Sequence, residues 1–287
     1  MGVGVTSKKA TSQDLYQRSF TKNLHDMRNV KHLLILFTIA FAVSCKKDSA
    51  PAADEISQDV LDKIYGLGFS NKNVVKDEDG YIVEGDILIT HAQLNTAPFD
   101  AKFLRIAGEE QYRTFNLVTG LPRTITVSIS NKLPVSYVAA LDEALGRYNA
   151  LNLQVRFQRV TSGANISIVK GSGNFLASAG FPTSSGSPYG QVKVNSAAIG
   201  NQPQSTVATI LAHELGHCIG FRHTDYMNRS YSCGGSAVNE GASNVGAVHI
   251  PGTPTGPDSG SWMLSCIGSG QNRPFNNNDK VALGYLY

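Results

Sequence analysis

The chain has 287 residues, 41% of them hydrophobic and 16% charged, and carries a formal net charge of +3. That length and apolar content suffice for one sizeable core plus an appendage, and exclude a disordered or fibrous chain. A surplus of three positive charges, scattered with no long basic run, gives no footprint for nucleic acid, and none is expected as a partner.

Residues 1–26 are polar and aperiodic. Met27 to His32 is then a short basic segment, Leu33 to Val43 an eleven-residue apolar run, and Ser44-Cys45 follows. This is the layout of a secretory signal, so residues 1–44 read as leader and signal peptide, with Met27 the better start. Eleven apolar residues are too few to span a bilayer. Ala42-Val43-Ser44-Cys45 resembles a bacterial lipobox, which implies lipidation of Cys45. The expected location is therefore the bacterial cell envelope (outer membrane or cell surface) or the medium, and the lipid on Cys45 is the only membrane contact expected. Residues 45–55, charged and rich in Ala and Pro, read as a flexible tether.

Residues 56–115 form a second unit. Val60, Leu61, Ile64 and Tyr65 have helical spacing, and turn-rich sequence leads into Tyr81-Ile82-Val83-Glu84-Gly85-Asp86-Ile87-Leu88-Ile89. A third unit, 116–287, begins with a strand at Ile125, Val127 and Ile129. Tyr137, Ala140, Leu141, Ala144, Leu145 and Tyr148 predict an amphipathic helix. Strands follow around Leu153–Phe157, at Ile166–Ile168 and, after a Gly/Ser/Pro-rich loop, at Gln191–Val194. A helix capped near Ser205-Thr206 comes next, its stripe Val207, Ile210, Leu211, Leu215 and Ile219 facing inward. Residues 224–260 read as a long functional loop lining a specificity pocket, and Asn277 to Leu286 as a closing C-terminal helix. The succession predicts a mixed α/β domain.

The chemistry is concentrated in His213-Glu214-Leu215-Gly216-His217-Cys218-Ile219-Gly220-Phe221-Arg222-His223, which spells H-E-x-x-H-x-x-G-x-x-H. Residues four apart on a helix lie one above the other, so His213 and His217 can aim at one ion. Glu214, about 100° round the helix, can reach a water at that ion without binding the ion itself. His223 joins only if the helix stops and the chain turns back. Gly220 is the residue that tolerates the left-handed conformation of such a stop. Three imidazole nitrogens leave a fourth position open, as in catalytic rather than structural zinc sites. One Zn²⁺ is the expected cofactor; calcium in the long loops has no supporting motif.

This pattern resembles the signature of the metzincin clan of zinc peptidases, and most closely the bacterial HEIGH-type (dual-action HEIGH) metallopeptidase family. The resemblance extends to Ser261-Trp262-Met263-Leu264-Ser265, which matches a Met-turn and implies that Met263 forms an apolar floor beneath the metal. It implies a twisted mixed sheet, an active-site helix and a C-terminal helix. It also implies that the strand at 191–194 lies at the sheet edge beside the cleft, where an extended peptide adds as a strand. The substrate is then polypeptide, cut by water with Glu214 as general base, and a monomer is expected. Residues 56–115 stand where such enzymes carry a propeptide. Val83-Glu84-Gly85-Asp86 is similar to the F-x-G-D motif of astacin-type propeptides, with Val in place of Phe, which implies that Asp86 occupies the open zinc position and confers latency. A thiol cannot do this, because no cysteine lies between Cys45 and Cys218. Ser265 stands where astacins carry a further tyrosine, so no tyrosine ligand is implied.

Cys218, inside the helix, reads as a small buried hydrophobe. Cys233 and Cys266 are then available for a disulfide, although spacing alone does not settle the pairing. Three other readings stand beside this one: a peptidase with Glu240 as third ligand, an inactive surface lipoprotein of metzincin fold that binds proteins or glycans, and a hydrolase of something other than polypeptide.

Overall fold

The computed structural model describes residues 1–2, 55–67, 69–95, 111–241, 245–254 and 256–287. The signal segment, Met27, Cys45 and nearly all of the tether lie outside the described residues. Every element below belongs to the unit Ile56–Tyr287.

The N-terminal layer comprises helix α1 (Gln58–Gly66), strands β1 (Val75–Asp77), β2 (Gly80–Val83) and β3 (Ile87–Thr90), and the short helix α2 (His91–Asn95). The apolar run 81–89 therefore does not form one strand. It breaks at Glu84-Gly85, which both have positive φ, and β1-β2-β3 form an antiparallel sheet. Ile64, Leu67, Phe69, Val83, Ile87, Ile89 and Leu94 make a small core of their own, closed from the other side by Phe181.

The larger body holds β4 (Tyr112–Arg113), β5 (Arg123–Ile129), α3 (Ser136–Asn149), β6 (Val155–Arg159), β7 (Ile166–Lys170), β8 (Ala177–Ser178) and β9 (Gln191–Val194), then α4 (Ser196–Ile199), α5 (Gln204–Cys218), α6 (Ser230–Cys233), β10 (Val248–His249) and α7 (Asn277–Leu286). Its five-stranded sheet has the order β6-β5-β7-β9-β8, parallel except for β8 against β9. Alternate residues of the strands (Ile125, Val127, Ile166, Ile168, Val192, Val194) bury one face against α3 and α5, where Leu141, Tyr148, Leu211 and Leu215 are fully enclosed. The mixed α/β class follows directly from this layering of two helices on a sheet.

Four expectations need correction. The edge of the sheet beside the cleft is β8 and not the strand at 191–194, because the Gly/Ser/Pro-rich loop folds back and pairs Ala177 with Val194. Residues 111–115, grouped by sequence with the N-terminal region, are built into the body: β4 pairs with β10, Arg222 N donates to Tyr112 O, and Thr114 N donates to Gly220 O. Helix α5 starts at Gln204 after Pro203, with no side-chain cap, since Thr206 and Val207 N–H groups already reach the Pro203 carbonyl. The loop 224–260 contains α6 and β10 and serves mainly to brace the site, as described below.

Asp279 joins three parts of the body. It completes a capping box with Asn276 at the start of α7. Its carboxylate also accepts from Gln111 Nε2 and from Trp262 N at 3.3 Å, and burial pushes it up to about 6. Replacing Asp279 with Ala removes one cap and strands two buried donors, so the unfolding free energy should fall by about 2–4 kcal/mol in a denaturant titration.

Candidate active site

Helix α5 carries His213 and His217 one turn apart, both buried. The helix stops at Cys218, and Gly220 takes φ +107°. A Cβ there would stand 2.8 Å from Leu117 and 3.0 Å from the Asn116 carbonyl, so the turn needs glycine for space as well as for conformation. The turn does two things. It swings His223 back beside the helix, with its ring centroid 4.9 Å from that of His217, and it brings the Phe221 carbonyl within 2.8 Å of His217 Nδ1.

All three imidazoles are oriented in the same way. His213 Nδ1 donates to Trp262 O at 2.8 Å, His217 Nδ1 to Phe221 O at 2.8 Å, and His223 Nδ1 to the Glu240 carboxylate at 3.0 Å. A carbonyl or carboxylate can only accept, so each Nδ1 carries a proton and Nε2 is the ring atom left to offer a metal ion its lone pair. Those lone pairs converge: His217 Nε2 and His223 Nε2 are 3.2 Å apart, and His213 Nε2 is buried with no hydrogen-bond partner among the described residues. Bare nitrogens at that distance repel unless a cation lies between them. A single proton serves one nitrogen at a time, whereas a divalent ion takes all three. Ligands held tetrahedrally at zinc's bond lengths stand about 3.4 Å apart, close to the spacing here.

Asp86 completes the group. Its Oδ2 lies 3.1 Å from His223 Nε2 and 3.5 Å from His213 Nε2. The candidate ligand atoms of Asp86, His213, His217 and His223 all lie within 4.8 Å of one another. Burial alone would raise the Asp86 carboxyl, but His223 and His213 hold it well below the usual carboxylate range. Burial, and then repulsion from Asp86, pushes Glu214 well above that range. Glu214 is 3% exposed, with Oε2 unpartnered among the described residues.

The chain segment bearing Asp86 is held as an added strand. Ala179 N donates to Asp86 O and Leu88 N to Ala179 O, both at 2.9 Å, so the edge beyond β8 is paired with the protein's own N-terminal layer. At the opposite end of the hairpin, Asp77 and Asp79 form ion pairs with the buried Lys193 of β9. Beside His213 and Glu214 a cavity of about 240 Å³ opens between Phe175, Leu176, Ile210, Leu264 and Ile267. Among the described residues, Arg229 is its only lining residue from 224–260. The pocket walls come instead from α5, residues 175–177 and the segment after the Met-turn, together with Gly85 and Asp86.

Residues that brace the site were largely illegible in the sequence. Met263 is fully buried, and Gly216 is what admits it: a Cβ on Gly216 would meet Met263 Sδ at 2.6 Å and Trp262 Nε1 at 3.2 Å. Thr224 N donates to Met263 O at 2.9 Å. Asp225 accepts from Ser265 N and Ser265 Oγ, each at 2.9 Å, and from Ser232 Oγ. Cys233 and Cys266 are joined by a disulfide, while Cys218 is buried and free. Glu240, weighed above as a ligand in a rival reading, sits on the Nδ1 side of His223, away from the converging nitrogens. There it orients the ring.

Over residues 82–287 the chain matches the dual-action HEIGH metallopeptidase family. It belongs to that family. Accordingly it is a metallopeptidase, a hydrolase of polypeptides. Two solved structures of myroilysin are similar to it. One has 16% identity and a TM-score of 0.40, covering 60% of this chain and 96% of that one. The other has 13% identity and a TM-score of 0.36, covering 58% and 83%. No curated protein matches the chain.

In this metallopeptidase the close approach of Gly216 to Met263 generates a prediction. Ala is a better helix former than Gly, so Gly216→Ala should leave α5 intact or strengthen it. The added methyl displaces Met263 and Trp262, whose carbonyl orients His213. Metal affinity, measured by competition with a chelator, should fall by about 10–100-fold.

Proposed function

We propose that the protein is an exported zinc endopeptidase made in a latent form. The observation that carries this reading is the convergence of three Nε2 lone pairs whose Nδ1 atoms are all committed elsewhere, with a carboxylate oxygen at the fourth corner. His213, His217 and His223 would hold the ion, and Met263 packs beneath them. When bound, zinc supplies a Lewis acid that acidifies water and polarises a carbonyl.

The work assigned to the chain's own residues is binding and proton transfer. Glu214, adjacent to the first ligand and lining the cavity, takes a proton from the attacking water and delivers it to the leaving amine. The apolar cavity receives a substrate side chain next to the scissile bond. The edge beyond β8 binds substrate backbone by strand addition once the segment now paired with Ala179 has left. Asp86 confers latency by filling the corner that water and substrate need. Export, with Cys45 as the lipid attachment point, is supported by the basic and apolar runs at 27–45.

Two variants separate the roles. Glu214→Gln should bind zinc as the native chain does and hydrolyse casein about 10²–10⁴-fold more slowly. His217→Ala should lose metal and activity together, as metal analysis beside the activity assay would show; a Glu214→Gln protein of unchanged activity refutes the assignment of the base. Asp86→Ala should make the uncut chain active. If it stays as inactive as the native precursor, the latency role of Asp86 is wrong.

A further inference from the structure

Both carboxylates of the turn between β2 and β3 end in the body, on neighbouring residues. Asp86 reaches His223, and Glu84 Oε2 lies 3.1 Å from Arg222 Nη2. The latency reading accounts for Asp86 and leaves Glu84 without a task. Yet the Glu84–Arg222 pair is completely buried on both sides. Burial, and then repulsion from Glu240, pushes the Glu84 carboxyl up, with Arg222 acting the other way. An ion pair placed at such a cost calls for an explanation other than stability, because apolar residues of the same size would do as well.

The surroundings of Arg222 supply one. Its guanidinium lies between two rings, Phe69 at 5.3 Å and Tyr226 at 5.6 Å. Phe69 and Glu84 belong to the N-terminal layer; Tyr226 and Glu240 belong to the body. Glu240 is 4.0 Å from Arg222 and is already engaged with His223 Nδ1 and with Arg229. Departure of residues 56–95 would therefore take away the nearest carboxylate and one aromatic cover. Tyr226 stays beside the guanidinium, and so does Glu240, a carboxylate shared with two other cations. A planar cation of this kind, beside an aromatic wall, recognises a carboxylate.

We propose that Arg222 is a carboxylate-binding subsite of the cleft, occupied in the latent chain by Glu84. A polypeptide with an acidic side chain two residues from the group at the metal corner takes it over when the N-terminal layer leaves. The proposal rests on the latency reading and extends it: Asp86 blocks the reaction, and Glu84 mimics a preferred substrate residue. Loss of one charge-assisted contact of this kind weakens binding by about tenfold or more.

The test uses the full chain with a specific protease site introduced within 96–110 and a fluorophore on the N-terminal fragment. After cutting, the labelled fragment is displaced with synthetic peptides of residues 80–90, one native and one carrying Glu84→Gln. The native peptide should displace at a concentration at least about tenfold lower, and in a cut Arg222→Gln chain the two should become equal. Equal potency on the native body, or no displacement by either peptide, overturns the proposal. Casein hydrolysis is followed in the same samples. Selective displacement with casein hydrolysis no greater after the fragment leaves than before would sink the latency reading and leave the subsite standing, so the two failures are distinguishable.

Discussion

Three imidazoles whose candidate ligand atoms lie within 4.8 Å of one another, inside the protein, are the constraint around which this structure is built. Such crowding is unfavourable, because a buried nitrogen without a partner costs free energy, and His213 Nε2 has none among the described residues. It is tolerated because each ring is tied from behind by an acceptor from a different part of the chain: Trp262 O after the long loop, Phe221 O in the helix stop, and the Glu240 carboxylate inside the loop. The rings cannot rotate to relieve the crowding without giving up those bonds. The fold thus gathers three imidazoles and the Asp86 carboxylate at one point, which makes that point the candidate metal site.

The bracing repeats the same logic one layer out. Asp225 fastens the segment after the Met-turn to the segment after His223, and the disulfide between Cys233 and Cys266 closes the same gap covalently. Met263 fills the space that Gly216 leaves open on the helix. Helix, Met-turn and loop are consequently one unit, and displacement of any of them moves a ring.

Charge organises the contact between the N-terminal layer and the body. Asp77 and Asp79 meet Lys193, Glu84 meets Arg222, and Asp86 meets the histidine cluster. In each of these pairs the acidic group is on the layer and its partner on the body. Apolar packing between Phe69 and Phe181, whose rings stack 6.4 Å apart, adds to this contact. Ile82 and Leu88 pack on Phe175 as well, so the layer is held by charge pairs and apolar contacts together.

The sequence alone determined the candidate site residues, because what they can do together depends on local spacing. His213 and His217 share a helix face at four residues, Gly220 ends that helix, and His223 follows at the distance a reversal needs. The amphipathic period of α3 and the alternation of β5 and β7 were legible for the same reason. Tertiary structure alone decided what lies far apart in the chain. Nothing local marks Glu240 as the acceptor behind His223, Trp262 O as the one behind His213, or Arg222 as the partner of Glu84, since each pairing depends on how loops close around the core. The sheet edge was misplaced because pairing of β8 with β9 depends on a loop folding back, which no periodicity records. Spacing specifies which atoms can meet along one element, and packing specifies which elements meet.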